Sequence, residues 1–245
     1  MTRRGTPLRF AGSFILKDED MCGRFVMTIE PDKFRQFFGV PEAPDLVPRY
    51  NIAPSQQIFA ICQNGDGYRF VRNFRWGLVP NWSKDPAIGH KMINARSETV
   101  AEKPAFRGPI RYHRCLIPAN GFYEWLHQGK EKTPYFIHRK DLEPMAFAGI
   151  WDVWKGPEGS VESCSILTTD ANSLVAKIHD RMPVILSPSE FDTWLDREMA
   201  DIEKLKMLFS PYPSDMLDAI PVSGLVNNPQ NDSPECCTPV MGGDP

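Results

Sequence analysis

The chain has no apolar run approaching 18 residues, so nothing in it reads as a membrane-spanning helix. It has no CxxC pair. None of its six cysteines (Cys22, Cys62, Cys115, Cys164, Cys236, Cys237) stands at ligand spacing from a histidine, which argues against a structural zinc site. GxSxG, GxxxxGK[ST], HExxH and GxGxxG are all missing. A nucleophile elbow, a P-loop, a zincin helix and a dinucleotide fingerprint are thereby excluded. There is no internal repeat, and no low-complexity linker interrupts residues 21–228, so a single domain is expected there. A strong net charge is lacking as well: the balance is −3, which taken alone argues mildly against a nucleic-acid partner.

What is present is an ordinary soluble composition, 42% hydrophobic and 24% charged, with 23 prolines that call for many turns and short elements. The charge is unevenly placed. Residues 66–114 hold ten Lys/Arg against four Asp/Glu, a local net of +6, while residues 187–245 hold three against eleven, a net of −8. A basic middle offers a phosphate-binding surface with the acidic end facing elsewhere; scattered solvated charge is the plainer alternative. Cys62, Cys115 and Cys164 lie in apolar stretches and read as reduced core thiols of a cytosolic protein. Cys236 and Cys237 sit in a polar stretch that carries no clear signal.

Residues 1–20 do not look like folded core. A basic start and a short apolar piece, Phe10 to Leu16, run into the charges Lys17 to Asp20, without the long apolar region or cleavage site of a secretory signal. Residues 1–21 are expected to be a misassigned start or a leader absent from the active protein, ahead of a retained extension. Beyond them, 32–38 reads as a helix closed by Gly39. Gln57–Gln63 and Tyr68–Trp76 flank Asn64-Gly65-Asp66-Gly67 as a hairpin. Strands are expected at Cys115–Pro118, Phe122–Leu126, Tyr135–His138, Met145–Trp151 and Ser163–Thr168. Ala171–Ile178 reads as a helix. Ser187-Pro188-Ser189-Glu190 is a capping box opening a helix through Leu195, and 201–209 is another helix. Residues 229–245 are Pro/Asn/Gly-rich and read as a disordered tail. The count gives an α+β fold: a mostly antiparallel, barrel-like β core flanked by short helices.

Chemistry is sought in polar residues embedded in apolar or turn-rich segments. Cys22 follows Met21 in Cys22-Gly23-Arg24-Phe25. With Met21 removed, Cys22 carries an amine and a thiol on adjacent carbons. The amine condenses with an aldehyde, and the thiol closes a five-membered ring. An α-amine keeps a neutral fraction near pH 7. Glu124, flanked by aromatics in NGFYEWL, suits proton transfer. His179, in KIHDRMPVIL beside Asp180 and Arg181, suits a proton shuttle. Asn94 orients a reacting group and Arg96 clamps a phosphate in KMINARSETV. Trp82 in VPNW offers a stacking surface. Each also has a plain structural reading: a buried strand cysteine, a solvent-facing strand glutamate, a capping histidine, a strand-end polar pair, a core tryptophan.

The segments MCGRF, RYNIAPSQ, WGLVPNW, INARSET, RCLIPANGFYEW, AGIWD, SILTTDAN, HDRMPVIL and PVSGLVNN run in order from Met21 to Asn228. Together they resemble the SRAP family, the SOS response-associated peptidases or abasic-site processing proteins. The resemblance implies that Cys22 cross-links to abasic sites in single-stranded DNA through a thiazolidine. It implies that Asn94 positions the cysteine and sugar, Glu124 moves protons, and His179 assists ring opening and reversal. It further implies that Arg24, Arg96 and Arg181 hold phosphates, and that Pro54, Trp82 and Thr168 contact or kink the strand. A second tryptophan often follows the one matched by Trp82; here Ser83 stands there, which removes part of that wedge. No metal or cofactor is implied. A monomer in the cytoplasm, on the nucleoid when bound to DNA, is expected. An autoproteolytic cysteine peptidase and a non-covalent reader of single-stranded or modified DNA are the rival expectations. With residues 1–21 attached, the Cys22 nitrogen is an amide and thiazolidine chemistry is impossible.

Overall fold

A computed structural model describes residues 22–157 and 159–240, and every structural statement refers to these. The expectations for residues 1–21 and 241–245 lie outside the described residues.

In chain order the strands are β1 (Arg24–Met27), β2 (Arg49–Ile52), β3 (Gln57–Gln63), β4 (Arg69–Trp76), β5 (Asn94–Arg96), β6 (Arg114–Ala119), β7 (Gly121–Gln128), β8 (Glu131–Arg139), β9 (Met145–Gly156), β10 (Gly159–Asp170), β11 (Arg181–Pro183), β12 (Ile185–Leu186) and β13 (Leu217–Pro221). The β3–β4 hairpin turns where its sequence predicts. Asn64 Oδ1 accepts from the main chain of Asp66 and Tyr68 at 3.1 and 2.9 Å, and Gly67 takes the left-handed backbone such a turn needs, φ 79°. β4 pairs with β3, β3 with β6, β6 with β9 and β9 with β10, all antiparallel. β10 then runs parallel to β4 through Ser163↔Arg75 and Cys164↔Trp76, closing a five-stranded barrel. The expected α+β, barrel-like, mostly antiparallel core is therefore what the chain forms.

A second antiparallel sheet, in the order β13-β8-β7-β1-β2, packs on the barrel. Phe25 of β1 sets its ring edge-on to Trp76 and Phe147 at 5.2 and 5.9 Å, and Phe122 of β7 meets Phe147 at 6.1 Å. All four rings are buried. Truncating one such aromatic to alanine costs about 3–5 kcal/mol. This contact fixes the position of β1, and hence of the Cys22 that precedes it, relative to the barrel.

The helix α1 (Pro31–Phe38) has Pro at its first position, buries Phe34 and Phe38, and ends on Gly39 at φ 65°. The short helices α2 (Pro109–Tyr112), α3 (Phe191–Leu195) and α4 (Ile202–Lys206) follow. The capping box is present: the Ser187 amide donates to the Glu190 carboxylate at 2.7 Å ahead of α3. The predicted helix at Ala171–Ile178 is not formed; only Val175–Lys177 makes a single 3-10 turn. Asn172 explains the difference. Its side-chain oxygen accepts from the amides of Leu174 and Val175 at 3.1 and 2.9 Å, and its amide nitrogen reaches the Tyr212 carbonyl at 2.7 Å, ending the chain's direction before a helix can extend.

The disordered tail is also corrected. Residues 229–240 fold back on the second sheet. The Asp232 carboxylate accepts from the Arg49 guanidinium and from the amides of Tyr50 and Asn51. Asn51 donates to the carbonyls of Val226, Asn228 and Asn231 at 3.1, 3.0 and 2.7 Å. Cys236 is buried with Val26, Tyr123, Trp125, Val222 and Val226 in a small apolar cluster. A polar composition did not prevent ordering, because the polar groups satisfy one another and one edge strand.

Candidate active site

β1 pairs antiparallel with β7 through Arg24↔Tyr123 and Phe25↔Phe122. Extending that register by one residue sets Gly23 opposite Glu124. The result is a direct contact: the Cys22 main-chain nitrogen donates to Glu124 Oε1 at 2.8 Å. Both residues are buried, 0% and 1% exposed, so Glu124 is not a solvent-facing strand glutamate. Burial, and after it the Glu124 carboxylate, pushes the Cys22 thiol well above its usual range, so the sulfur is held as S–H. Cys22 has a backbone φ of 33°, a left-handed conformation that costs a non-glycine residue free energy and is tolerated mainly at functional sites.

A second group gathers along the far end of β10. β5 runs parallel to it, with Asn94 beside Ile166 and Arg96 beside Thr168, and β11 lies on the other side with Arg181 beside Asp170. His179 enters just before β11. Its Nδ1 accepts from the Arg181 amide at 3.1 Å, so the neutral ring carries its proton on Nε2. Burial lowers the His179 pKa, against the opposing pull of Asp180, and the imidazole of His127 adds to the lowering. His127 belongs to β7, three residues beyond Glu124 on the same strand.

The arginines divide. Arg96 is exposed and makes no ion pair among the described residues. Arg181 is buried and held on three sides: bidentate to Glu98 at 2.8 and 3.0 Å, to Asp170 at 2.6 Å, and to the Thr168 carbonyl at 2.8 Å. Its pKa is raised: burial opposes the charge, and Glu98 and Asp170 outweigh it. The terminal guanidinium nitrogens of Arg181, expected to hold a phosphate, here meet Glu98, Asp170 and the Thr168 carbonyl. Arg24 reaches Asn51 Oδ1 at 3.0 Å and the Val226 carbonyl at 2.6 Å, so it too is engaged by the C-terminal segment. Thr168 is fully buried, and its carbonyl accepts from the Arg181 guanidinium at 2.8 Å. Trp82 is 55% exposed, against the core reading of that tryptophan. Its loop is fixed from below: Trp154 Nε1 donates to the Ser83 carbonyl at 2.7 Å and the Asn81 amide to Asp152 at 2.9 Å. Pro54 is half-buried in the turn before β3. Sequence reasoning missed Glu98 and Asp170. The only signal was two carboxylates in the segments INARSET and SILTTDAN, whose relation to Arg181 is set by sheet pairing alone.

No three His, Cys, Asp or Glu side chains cluster as a metal site among the described residues, and no described helix is long and apolar enough to cross a membrane.

A sequence model of the SOS response associated peptidase (SRAP) family matches residues 21–229. The chain belongs to the SRAP family. This SRAP chain is 46% identical over 221 residues to the abasic site processing protein YoqW of Bacillus subtilis, covering 88% of the chain and 98% of that protein. It is 36% identical over 203 residues to the abasic site processing protein HMCES of Gallus gallus, covering 72% of the chain and 60% of that protein. Among solved structures, a Bacteroides thetaiotaomicron protein superposes on the SRAP chain with a TM-score of 0.80 at 30% identity, covering 90% of the chain and 100% of that protein.

Proposed function

We propose that this SRAP domain processes abasic sites in single-stranded DNA by bonding covalently to them through Cys22. The observation that carries the proposal is the 2.8 Å contact between the Cys22 nitrogen and Glu124. In a chain beginning at Cys22 that nitrogen is a primary amine. A buried carboxylate beside it is placed to take the proton that the amine releases as it attacks.

The steps balance without a cofactor. The opened abasic sugar presents a C1′ aldehyde. The amine adds to it, Glu124 relays the proton to the departing hydroxyl, and water leaves to give an imine. The Cys22 thiol then adds across the imine carbon, its proton passing to the nitrogen, and a thiazolidine results. The amine attacks first, because the thiol closes the ring on the imine carbon that this attack creates. His179, neutral with Nε2–H free of the Arg181 contact, donates toward the sugar ring oxygen during opening. Arg96 meets the phosphates and Trp82 stacks on a base.

A self-processing peptidase draws on the same contact. Attack of the Cys22 thiol on the preceding carbonyl gives a thioester, Glu124 protonates the freed amine, and water releases the leader. This second chemistry would prepare the first.

Two proteins, one starting at Met1 and one at Met21, distinguish these roles. Each is weighed intact, then mixed with an oligonucleotide carrying one abasic site and run on a denaturing gel. Only chains whose mass begins at Cys22 are expected to form a heat-stable adduct. An adduct of equal yield from a chain that keeps residues before Cys22 overturns the proposal.

A further inference from the structure

Ser55 has a left-handed backbone, φ 72°, on a residue that is neither glycine nor asparagine. It follows Pro54 in a turn clipped to the end of β4: the Ser55 amide donates to the Trp76 carbonyl at 2.8 Å, and the Trp76 amide to the Gln56 carbonyl at 2.9 Å. A third element closes over this corner. The 3-10 turn Pro86–Lys91 approaches β4 at Gly77 and Gly89, so closely that a Cβ on Gly77 would lie 2.6 Å from the Gly89 carbonyl oxygen. That approach sets His90 between Ser55 and Arg75. Ser55 Oγ is 3.0 Å from His90 Nδ1, and Arg75 Nη2 is 3.4 Å from His90 Nε2.

The donor arithmetic leaves this cluster outward-facing. A guanidinium only donates, so His90 Nε2 accepts from Arg75, and the ring proton sits on Nδ1 and goes to Ser55 Oγ. The Ser55 hydrogen is then left to donate elsewhere. Arg69 and Arg72, on the same strand, are paired with Asp192 and Glu162 at 2.5 Å each. Arg75 has no carboxylate partner among the described residues, and neither do Lys84 and Lys91 on the neighbouring loop. Trp82 is exposed on that same loop.

We infer that Ser55, His90 and Arg75 form a phosphodiester-binding subsite that takes a backbone phosphate of the same DNA strand that meets Arg96. The inference rests on the nucleic-acid reading proposed above but not on its covalent step. The strained Ser55 backbone is kept because it aims the hydroxyl at the anion, with Arg75 supplying the charge and His90 orienting both.

The test uses the full chain and a fluorescent single-stranded oligonucleotide without an abasic site, titrated at several NaCl concentrations. Arg75→Gln is expected to flatten the slope of log affinity against log salt by about 0.7, the share of one single-strand phosphate. Ser55→Gly removes the hydroxyl and relieves the backbone. It is expected to raise the thermal midpoint while weakening binding about two- to tenfold. A structural serine would move stability only. Arg72→Gln, whose guanidinium is already paired, is expected to leave the slope unchanged. Wild-type slope and affinity in both Arg75→Gln and Ser55→Gly overturn the subsite while leaving the abasic-site proposal standing. Failure of the wild-type protein to bind the strand at any salt overturns both.

Discussion

The Cys22 nitrogen and Glu124 Oε1 are joined by a 2.8 Å hydrogen bond across the β1–β7 ladder, out of contact with solvent. Glu124→Gln keeps an acceptor of the same shape and removes the proton carrier. Cross-link formation on an abasic oligonucleotide is expected to slow by about 10²–10⁴-fold, the usual range for a lost acid–base group. The thermal midpoint should stay close to wild type. Quenched time courses on denaturing gels measure the rate, and an unchanged rate removes Glu124 from proton transfer.

Arg181 holds the His179 ring through its amide, and its guanidinium is anchored by Glu98 and Asp170. Arg181→Gln is expected to destabilise the fold by about 1–2 kcal/mol, since the partner carboxylates Glu98 and Asp170 are exposed and screened. It is also expected to slow cross-linking and to leave the salt slope of DNA binding unchanged if the Arg181 guanidinium stays with Glu98 and Asp170. Urea unfolding and salt titration on the same variant separate these effects. A flatter salt slope would return Arg181 to the DNA surface.

The C-terminal segment shows where composition misleads. Residues 229–240 have the Pro, Asn and Ser content of a tail, yet Asp232 satisfies two main-chain donors of β2 and the Arg49 side chain. Ending the chain at Asn228 is expected to lower stability by about 2–4 kcal/mol, since it uncovers Tyr123 and Trp125 and strips the partners of β2. Urea denaturation of the shortened chain measures it, and full-length stability would contradict the fold-back.

His113 and His179 both have pKa values lowered by burial. Their unfolded forms take up protons at higher pH than the folded ones. Stability is therefore unaffected above the ordinary histidine range, about 6.5, and falls as pH drops below it toward the folded values. Thermal melts between pH 8 and pH 5 should show this loss, reduced in His179→Gln. A midpoint that rises on acidification would reverse the sign.

Local chemistry was legible in the sequence: the hairpin at Asn64–Gly67, the helix ending at Gly39, the capping box at Ser187, and the strand carrying Glu124. Those signals act over a few residues. Closure of the barrel was expected only as a class, because the parallel pairing of β10 with β4 and β5 joins residues about 70–90 apart and has no local code. The same distance hid the partners of Arg181. Family motifs pointed to Cys22, Glu124 and His179 as candidates. They did not separate an exposed arginine such as Arg96 from a caged one such as Arg181, which depends on carboxylates elsewhere in the fold. Ser55 was invisible because a left-handed serine leaves no mark in composition.

A bond between Cys22 and the abasic sugar changes the mass of the protein by a known amount. A chain beginning at Cys22 is mixed with an oligonucleotide of known mass carrying one abasic site, and the product is weighed intact and after heating. One adduct is expected, equal to protein plus DNA less one water, that survives heating without added reductant and is lost in Cys22→Ser. An adduct of the same mass and stability from Cys22→Ser, or none from a chain with a free Cys22 amine, would contradict that bond.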